Sequence, residues 1–598
     1  MSDRQAVVAA VAAVLGAWIT APVPLVPAVA AVVATYLWRK PLLLAFALLL
    51  MSSSLSVLAW EGTSGGVQGP VSGSATLTGD PETRGEAVIT EIRLDGRRYE
   101  AVAFGPAGGV LRGMLAGEVV EIEGSAGPLR PEQTWLVTRH VVGEIEVTQA
   151  RSAGAGGLAE RLANRLRRLL VSGAESLDPD TQSLFTGLVV GDDRFQSAAT
   201  AASFRAAGLT HLLAVSGQNV AFVLAVTRPL LLRLPLRARW ATALAVLAFF
   251  ALITRFEPSV LRATVMAGLA TTASLLGRPA SSVRLLALAV VIVVLVDPFL
   301  VHSLGFRLSV GASAGIVLLS RRLAERLPGP GFLKDPLSVT LAAQVGVAPF
   351  MIPAFGSIPL ASLPANLLAG PAAGAMMAWG LTGGLLAGLA GAPAAALLHL
   401  PTRVLTWWID SVASWSGALP LGVLDAGHLV VVAAAALLLV VGARDGVRGR
   451  RFINATGAVI AVSVLVSPVV SEAIGGHVER SPAPGVVVYR VEDVVVVTVD
   501  PVVTSAAEAV SALVASRSRR IDMLVVTKPE GRSGELVHQL REAMEVGVVL
   551  VPQGSLVRGA VVPAVGCARV GGTVVAIDAV EPDLQVSAGP ASEERCGG

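Results

Sequence analysis

The segment GDDRFQSAATAASFRAAGLTHLLAVSGQNVAF, residues 191–222, sets carboxylates, arginines, a histidine, a serine and an asparagine within an otherwise apolar stretch. Polar groups at membrane depth are costly, which makes them functional candidates. On a continuous helix, Ser216 and Asn219 project about 140° and 80° from His211, so the three share one broad face. Three chemistries are open to that face. It can be a hydrogen-bond network between helices, with Gly208 and Gly217 permitting close packing. It can line a hydrophilic cavity, together with Asp192 and Arg205 of the same segment. Or Ser216 can be a nucleophile with His211 as its base in an intramembrane hydrolase, although their angular separation on one helix disfavours a direct hydrogen bond. A second cluster, TRFEPSVLRATVMAG, carries Arg255, Glu257, Ser259 and Arg262 around Pro258. Glu257 and Arg262 are fit to form a salt bridge that pins two helices. An arginine facing water there would instead attract polyanions. Arg307 in GFRLSVGASAG poses the same question, with snorkelling to the interface as its alternative.

Composition says what surrounds these groups. Of 598 residues, 53% are hydrophobic and only 15% charged, and the mean hydropathy is +0.69. A soluble surface needs roughly twice that charge density, so most of the chain does not face water. Lysine occurs only at Lys40, Lys334 and Lys528, none in a phosphate-binding Gly-Lys-Ser/Thr context, so no ATP motor is recognisable. Cys567 and Cys596 are too few for a zinc ribbon or a disulfide framework. No metal site, cofactor or catalytic residue is expected.

A membrane span needs about 20 apolar residues in helical form. Three such runs fill residues 1–60, the second from Pro24 to Trp38 and the third from Pro41 to Trp60. From 61 to 155 the texture changes to short alternating stretches, EAVITEIRL, RRYEAVAF and EVVEIEG, which predict a small β domain. Residues 156–207 begin with LAERLANRLRRLLVSG, arginines on one face and leucines on the other, an amphipathic interfacial helix. From 208 to 475 the chain is apolar again. Segments are expected near 208–227, 236–254, 259–276, 283–300, 304–320, 337–355, 359–378, 380–400, 427–443 and 453–473, with the Trp-rich 403–420 as an interfacial helix. Placing Arg4 in the cytoplasm puts the arginine clusters at 228–239, 278–284, 321–334 and 444–451 inside as well, as the positive-inside rule requires. Residues 61–155 and 480–598 then both lie outside. The last stretch alternates valine-rich strands (VVVYRV, DVVVVTVD, IDMLVVT, VGVVLVP) with helical segments, an α/β layered domain. The expected fold class is a polytopic α-helical membrane protein of about 13 transmembrane or re-entrant helices with two external domains.

The run FRAAGLTHLLAVSGQNVAFV resembles the central signature of the ComEC family, the membrane channels that internalise DNA in bacterial natural transformation. LVVGDDR, PSVLRATVMAG, DPFLVHSLGFRLSVGASAG and AAQVGVAPFMIPAFGSIPLASLPANLLAGP are similar to further family segments in the same order, and residues 61–155 resemble its external OB-like module. The signature departs at Asn219, where the family often has a second histidine. Family members often end in an external metallo-β-lactamase-like nuclease domain with a His-x-His-x-Asp-His motif after a strand. Here IDMLVVT is followed by KPEGRSGEL, and Lys528, Glu530, Arg532 and Ser533 cannot supply that ligand set. His538 reads as an exposed helix residue. The resemblance therefore implies a degenerate metallo-β-lactamase-like domain at 480–598, and a channel for single-stranded DNA in the bacterial cytoplasmic membrane with no ATPase of its own and no nuclease. Its implied partners are an external DNA-receptor protein, a cytosolic helicase-like ATPase, the lipid bilayer and a separate nuclease. His211, Ser216, Asn219, Arg255 and Arg262 would border the hydrated path. In the β domain Arg97 and Arg98 would meet phosphates, and Tyr99, Phe104 and Trp135 would stack on bases or fill the barrel core, with the core favoured for Phe104. The rival function is a transporter for a small or lipid-linked anion.

Overall fold

The computed structural model describes the chain except residues 1, 22–40, 85–86, 193, 214, 279, 420, 426, 429, 432–462, 464–477, 484, 492–493, 502–508, 511–512, 514–519, 529–532, 556, 571–572, 580–583 and 591–598. The second apolar run, most of the segments expected at 427–443 and 453–473, and Glu530, Arg532 and Cys596 lie outside the described residues. Two compact units divide the chain: residues 1–195, 211–354 and 371–406 in one, and 196–210, 355–370 and 407–598 in the other.

The alternating stretches fold as a β barrel in the first unit. Strands β1 (Gly69–Leu77), β3 (Ala87–Leu94), β4 (Arg97–Ala103), β5 (Val119–Gly127) and β6 (Val141–Gly154) run in the order β1-β5-β6-β4-β3. The ring closes through β1–β3, where Leu77 faces Ile92. All pairings are antiparallel except β4–β6, and β2 (Glu82–Arg84) extends β3. Period two explains the closure. Ala75, Leu77, Ile92, Leu94, Tyr99, Ala101, Ile122 and Ile145 point inward and are buried together. The helix Gly105–Arg112, between β4 and β5, adds Ala107 and Leu111 to that core.

Apolar helices make up much of the rest of this unit: Asp3–Ile19, Pro41–Gly62, Leu236–Ile253, Pro258–Leu275, Ser282–Val296, Leu304–Arg326 and Gly331–Phe355. The helix Ser362–Trp379 is divided equally between the two units at Gly370. Among the described residues five helices are long and apolar enough to cross a membrane, and the chain is a helical membrane protein. Close packing is visible between Leu304–Arg326 and Gly331–Phe355. A Cβ on Gly315 would stand 2.1 Å from the Ala342 carbonyl oxygen, and one on Gly346 would stand 2.1 Å from that of Gly311. The run GASAG thus works as a small-residue contact face. Two expected helices are broken. Residues 380–400 split into a π turn at Gly380–Gly384 and short helices Leu385–Ala390 and Ala394–Leu398, because glycine and proline interrupt the run. Residues 208–227 split into the turn Thr210–Leu213 and the helix Gly217–Leu231.

In the second unit, strands β9 (Val478–Ala483), β10 (Val486–Val491), β11 (Val494–Val499), β12 (Arg520–Val526) and β13 (Glu545–Leu550) form one mixed sheet, parallel across β11–β12–β13. The helix Ser533–Ala543 packs Leu536, Val537 and Leu540 on one face. Val575 and Ile577 of β15 (Thr573–Ala579), which lies between β14 (Gly566–Val570) and β16 (Gln585–Pro590), pack on the other. The valine-rich runs of β11 and β12 are buried on both sides, hence their lack of alternation.

Charge fixes the barrel to the helices. Asp80, in the β1–β2 turn, receives Arg255 Nε and Nη2 at 3.1 and 2.8 Å and Arg167 Nη2 at 2.9 Å. Arg255 Nη2 also donates to Asn164 Oδ1 at 3.0 Å. Arg167 does not lie along the polar face of an interfacial helix, as its heptad-like spacing suggests. It is 2% exposed, and its Nη1 donates to the carbonyls of Val190 and Ile253 at 2.9 and 3.0 Å, the last residues of two helices. One guanidinium therefore caps two helix C-termini, where the macrodipole favours a cation. Burial alone would raise the Asp80 carboxyl, but the charges of Arg167 and Arg255 overcome it and hold the pKa at about 2. A folded-state pKa below the ordinary 3.8 contributes stability that is present at higher pH and lost as pH falls from about 3.8 to about 2. Removing one partner of such a pair costs about 3–5 kcal/mol. Asp80→Asn should thus lower the unfolding temperature of the detergent-solubilised chain at pH 7 and flatten its decline between pH 4 and 2; a variant melting like the wild type would refute the joint.

Candidate functional site

The break just before Gly217 has local causes at the described residues. Gly208, at φ +66°, ends the preceding helix turn. Ser216 is extended and caps the new helix, its Oγ accepting from Gln218 N at 3.3 Å. The same hydroxyl donates to Asn219 Oδ1 at 3.3 Å, and Asn219 Nδ2 donates to the Leu188 carbonyl at 3.4 Å. Ser216 has a single proton, and it is committed to Asn219 in this arrangement, so the hydroxyl is not poised on His211 as a nucleophile needs.

His211, Ser216 and Asn219 nonetheless line one cleft, with Leu188, Gln218, Phe222 and Gly374. Its volume is about 20 Å³, room for one water. The structure brings these three together not along one helix but across a bend.

Arg262 lies beside this segment. A Cβ on Gly217 would stand 2.7 Å from Arg262 Nη2 and 3.1 Å from Ala263 Cβ, so the glycine makes room for the guanidinium. Arg262 is 6% exposed. Its Nε donates to Ser309 Oγ at 2.9 Å, and Nη1 lies 3.9 Å from Met266 Sδ. The expected salt bridge from Glu257 is not formed: Glu257 is exposed at the helix start, and Ser309 takes the guanidinium instead. Arg307 donates Nη2 to the His302 carbonyl at 3.1 Å.

The remaining sites fall elsewhere. Asp192 is 2% exposed and accepts Arg194 Nε and Nη2 at 2.7 and 2.6 Å, with Arg167 Nη2 at 3.4 Å. Asp192 and Arg255 thus belong to the joint under the barrel, not to the cleft wall. Arg205 is an exposed residue of Ala198–Ala206 in the second unit. On the barrel, Tyr99 is 1% exposed and its hydroxyl accepts from Val67 N at 3.1 Å. It is a core residue and cannot stack on a base. Phe104, for which the core was favoured, is 50% exposed, and Trp135 is 51% exposed with the Arg139 guanidinium 5.9 Å above its ring. Arg97 Nη1 donates to the Ser64 carbonyl at 3.0 Å, and Arg98 Nη1 to that of Arg139 at 3.3 Å. Burial holds the Arg98 pKa below its ordinary value despite the nearby Glu91 carboxylate.

In the α/β domain, Lys528 and Asp500 follow the parallel strands β12 and β11 and pair at 2.9 Å. His538 is exposed and pairs with Glu542 at 3.3 Å along its own helix. Sequence reasoning missed Asp80, Asn164, Arg167 and Ser309. The one available signal was Asn164 and Arg167 at i, i+3, two polar groups that share a helix face.

Gly217→Ala should force the guanidinium off Ser309. The expected result is a lower melting temperature, with Asn219→Ala costing about 1 kcal/mol through the unsatisfied Ser216 and Leu188 groups. A neutral Gly217→Ala would mean that Arg262 does not rest against this turn.

Comparisons with known proteins bear on these residues. Residues 188–445 match the family model described as Competence protein. The chain is also 26% identical over 306 residues to ComE operon protein 3 of Bacillus subtilis (strain 168), a match covering 50% of this chain and 38% of that relative. The alignment thus spans well under half of the relative's length. No solved structure matches. The helices that carry the Ser-Gly turn, the cleft and Arg262 therefore lie within the stretch that is similar to the Competence protein family.

Proposed function

We propose that the chain is a channel that passes single-stranded DNA across the bacterial cytoplasmic membrane during natural transformation. The observation that carries this reading is a buried arginine without a carboxylate partner, Arg262, beside a polar cleft within the Competence domain. Every nucleotide brings a charge that hydrocarbon repels, so the strand needs a hydrated path walled by protein. The cleft has room for about one water in this form. Conduction thus requires the Gly217–Leu231 helix to part from the segment at 373–374, with His211, Ser216 and Asn219 facing the opening.

The barrel, a closed five-stranded ring with one parallel pair, serves in this reading as an external OB-like module, and Trp135, Phe104 and Arg139 offer a stacking surface for bases. Its seating on Arg255 and on Asp297, through His140 at 3.1 Å, supports the orientation in which both of those turns face outward. The disulfide at Cys567 supports the same side for the α/β domain, since disulfides persist outside the reducing cytoplasm.

In that domain the Lys528 ammonium sits against Asp500, a fixed organic cation that supports the absence of hydrolytic metal chemistry. The chain is then a conduit, not an enzyme. A cytosolic helicase-like ATPase supplies the pull, an external receptor delivers the strand and a separate nuclease removes its complement.

Arg262→Gln should reduce entry of labelled DNA into the cytosol by roughly tenfold or more, the effect of one lost phosphate contact, while DNA held at the cell surface is unchanged. Wild-type entry would reject the pore role of Arg262, and wild-type entry in cells lacking the gene would reject the channel. Manganese- or zinc-dependent cleavage of DNA by the purified full chain would overturn the non-enzymatic reading.

A further inference from the structure

Arg262 carries an electrostatic imbalance that its neighbours leave standing. A buried guanidinium is ordinarily balanced by a carboxylate, as Arg167 and Arg255 are balanced by Asp80. Among the described residues Arg262 has only a hydroxyl at Nε and a thioether at Nη1. Its Nη2 is turned to Gly217, the first residue of the Gly217–Leu231 helix, whose macrodipole makes that end electropositive. Two positive features therefore meet in a buried place with no negative one between them. Such an arrangement is unfavourable when empty and favourable around an oxyanion.

We propose that Arg262, the Gly217 end of this helix and Ser309 form a station for a phosphate-type oxyanion, and that its ligand is the phosphodiester backbone of a nucleic acid. Arg262 lies four residues into Pro258–Leu275, about 6 Å along the helix. The helix itself starts next to the Asp80 joint through Arg255. The station thus sits near the end of the helix bundle under the barrel, where a strand leaving the barrel would arrive. Phosphate contacts hold register without reading sequence, which suits a conduit. Lysine would serve less well, because the planar fork bonds Ser309 through Nε while it presents Nη2 to the ligand. The identity of the ligand rests on the DNA-uptake reading; the oxyanion chemistry does not.

The test uses the full chain in phosphatidylcholine nanodiscs. Ser309→Cys places a thiol at the guanidinium, and its modification by an anionic sulfonate methanethiosulfonate is compared with that by a cationic trimethylammonium analogue, read on the peptide carrying position 309. The anionic reagent should react roughly tenfold faster or more, since a local positive field concentrates anions by such factors. Adding Arg262→Gln should erase the preference, and Arg262→Lys should keep most of it. Oligothymidine should protect the thiol. Equal rates for the two reagents, or no reaction with either, overturns the station. Protection by phosphatidylglycerol in the disc but not by oligothymidine overturns the nucleic-acid ligand in favour of a lipid headgroup. Met266→Cys supplies a second probe on the same guanidinium should Ser309→Cys fail to fold. If cells lacking the chain take up DNA normally while the charge preference persists, the channel reading falls and the oxyanion site stands.

Discussion

A guanidinium taken out of water needs a negative partner, and this chain meets that requirement in two different ways. Under the barrel, Arg167 and Arg255 share Asp80, and Arg167 turns its Nη1 to two helix ends. Desolvation is expensive there, but the Asp80 carboxylate and the carbonyls of Val190 and Ile253 satisfy the charge, and the result is rigid geometry. At Arg262 no carboxylate among the described residues forms an ion pair, and the guanidinium meets a serine and a methionine. The first arrangement is closed and structural, the second open toward a ligand. That contrast separates the arginines that hold the protein together from the one proposed here as an anion site.

The closed cluster decides where the open one lies. Arg255 stands at φ +59° immediately after Leu236–Ile253 and before Pro258. Its two hydrogen bonds to Asp80 fix the turn from which Pro258–Leu275 departs. Arg262, about one turn further along, is therefore set by the same interaction that seats the barrel. A barrel loosened at Asp80 would move the helix that carries Arg262. Asp192 takes part through Arg167 and Arg194, which gives the Gly-Asp run before the Ser-Gly turn a positional role rather than a place on the path.

How much of this was legible beforehand depends on the range of the interactions. Barrel strands declare themselves because alternation is local: Ile92, Tyr99 and Ile145 had to face inward once β3, β4 and β6 were recognised. Most apolar runs between 236 and 379 declare themselves by length. The break just before Gly217 was missed because its cause, a serine cap followed by a glycine, looks from the sequence like two small residues within a helix. Tyr99 was misjudged because an aromatic on a strand serves either face, and only the Val67 hydrogen bond decides. Asp80 pairs with residues 87 and 175 positions away, a separation that no periodicity encodes.

Position 219 shows what the Ser-Gly turn asks of its residues. Ser216 must accept from Gln218 N to start the helix, and Gly217 must lack a side chain to admit Arg262. Asn219 must then accept from the Ser216 hydroxyl and donate to the Leu188 carbonyl at once. A carboxamide does both in every protonation state of its surroundings. A neutral imidazole has one donor and one acceptor and meets the same demand, but its protonated form loses the acceptor and would release Ser216. The work of position 219 is to hold Ser216 and the Leu188 helix end together, not to carry a proton.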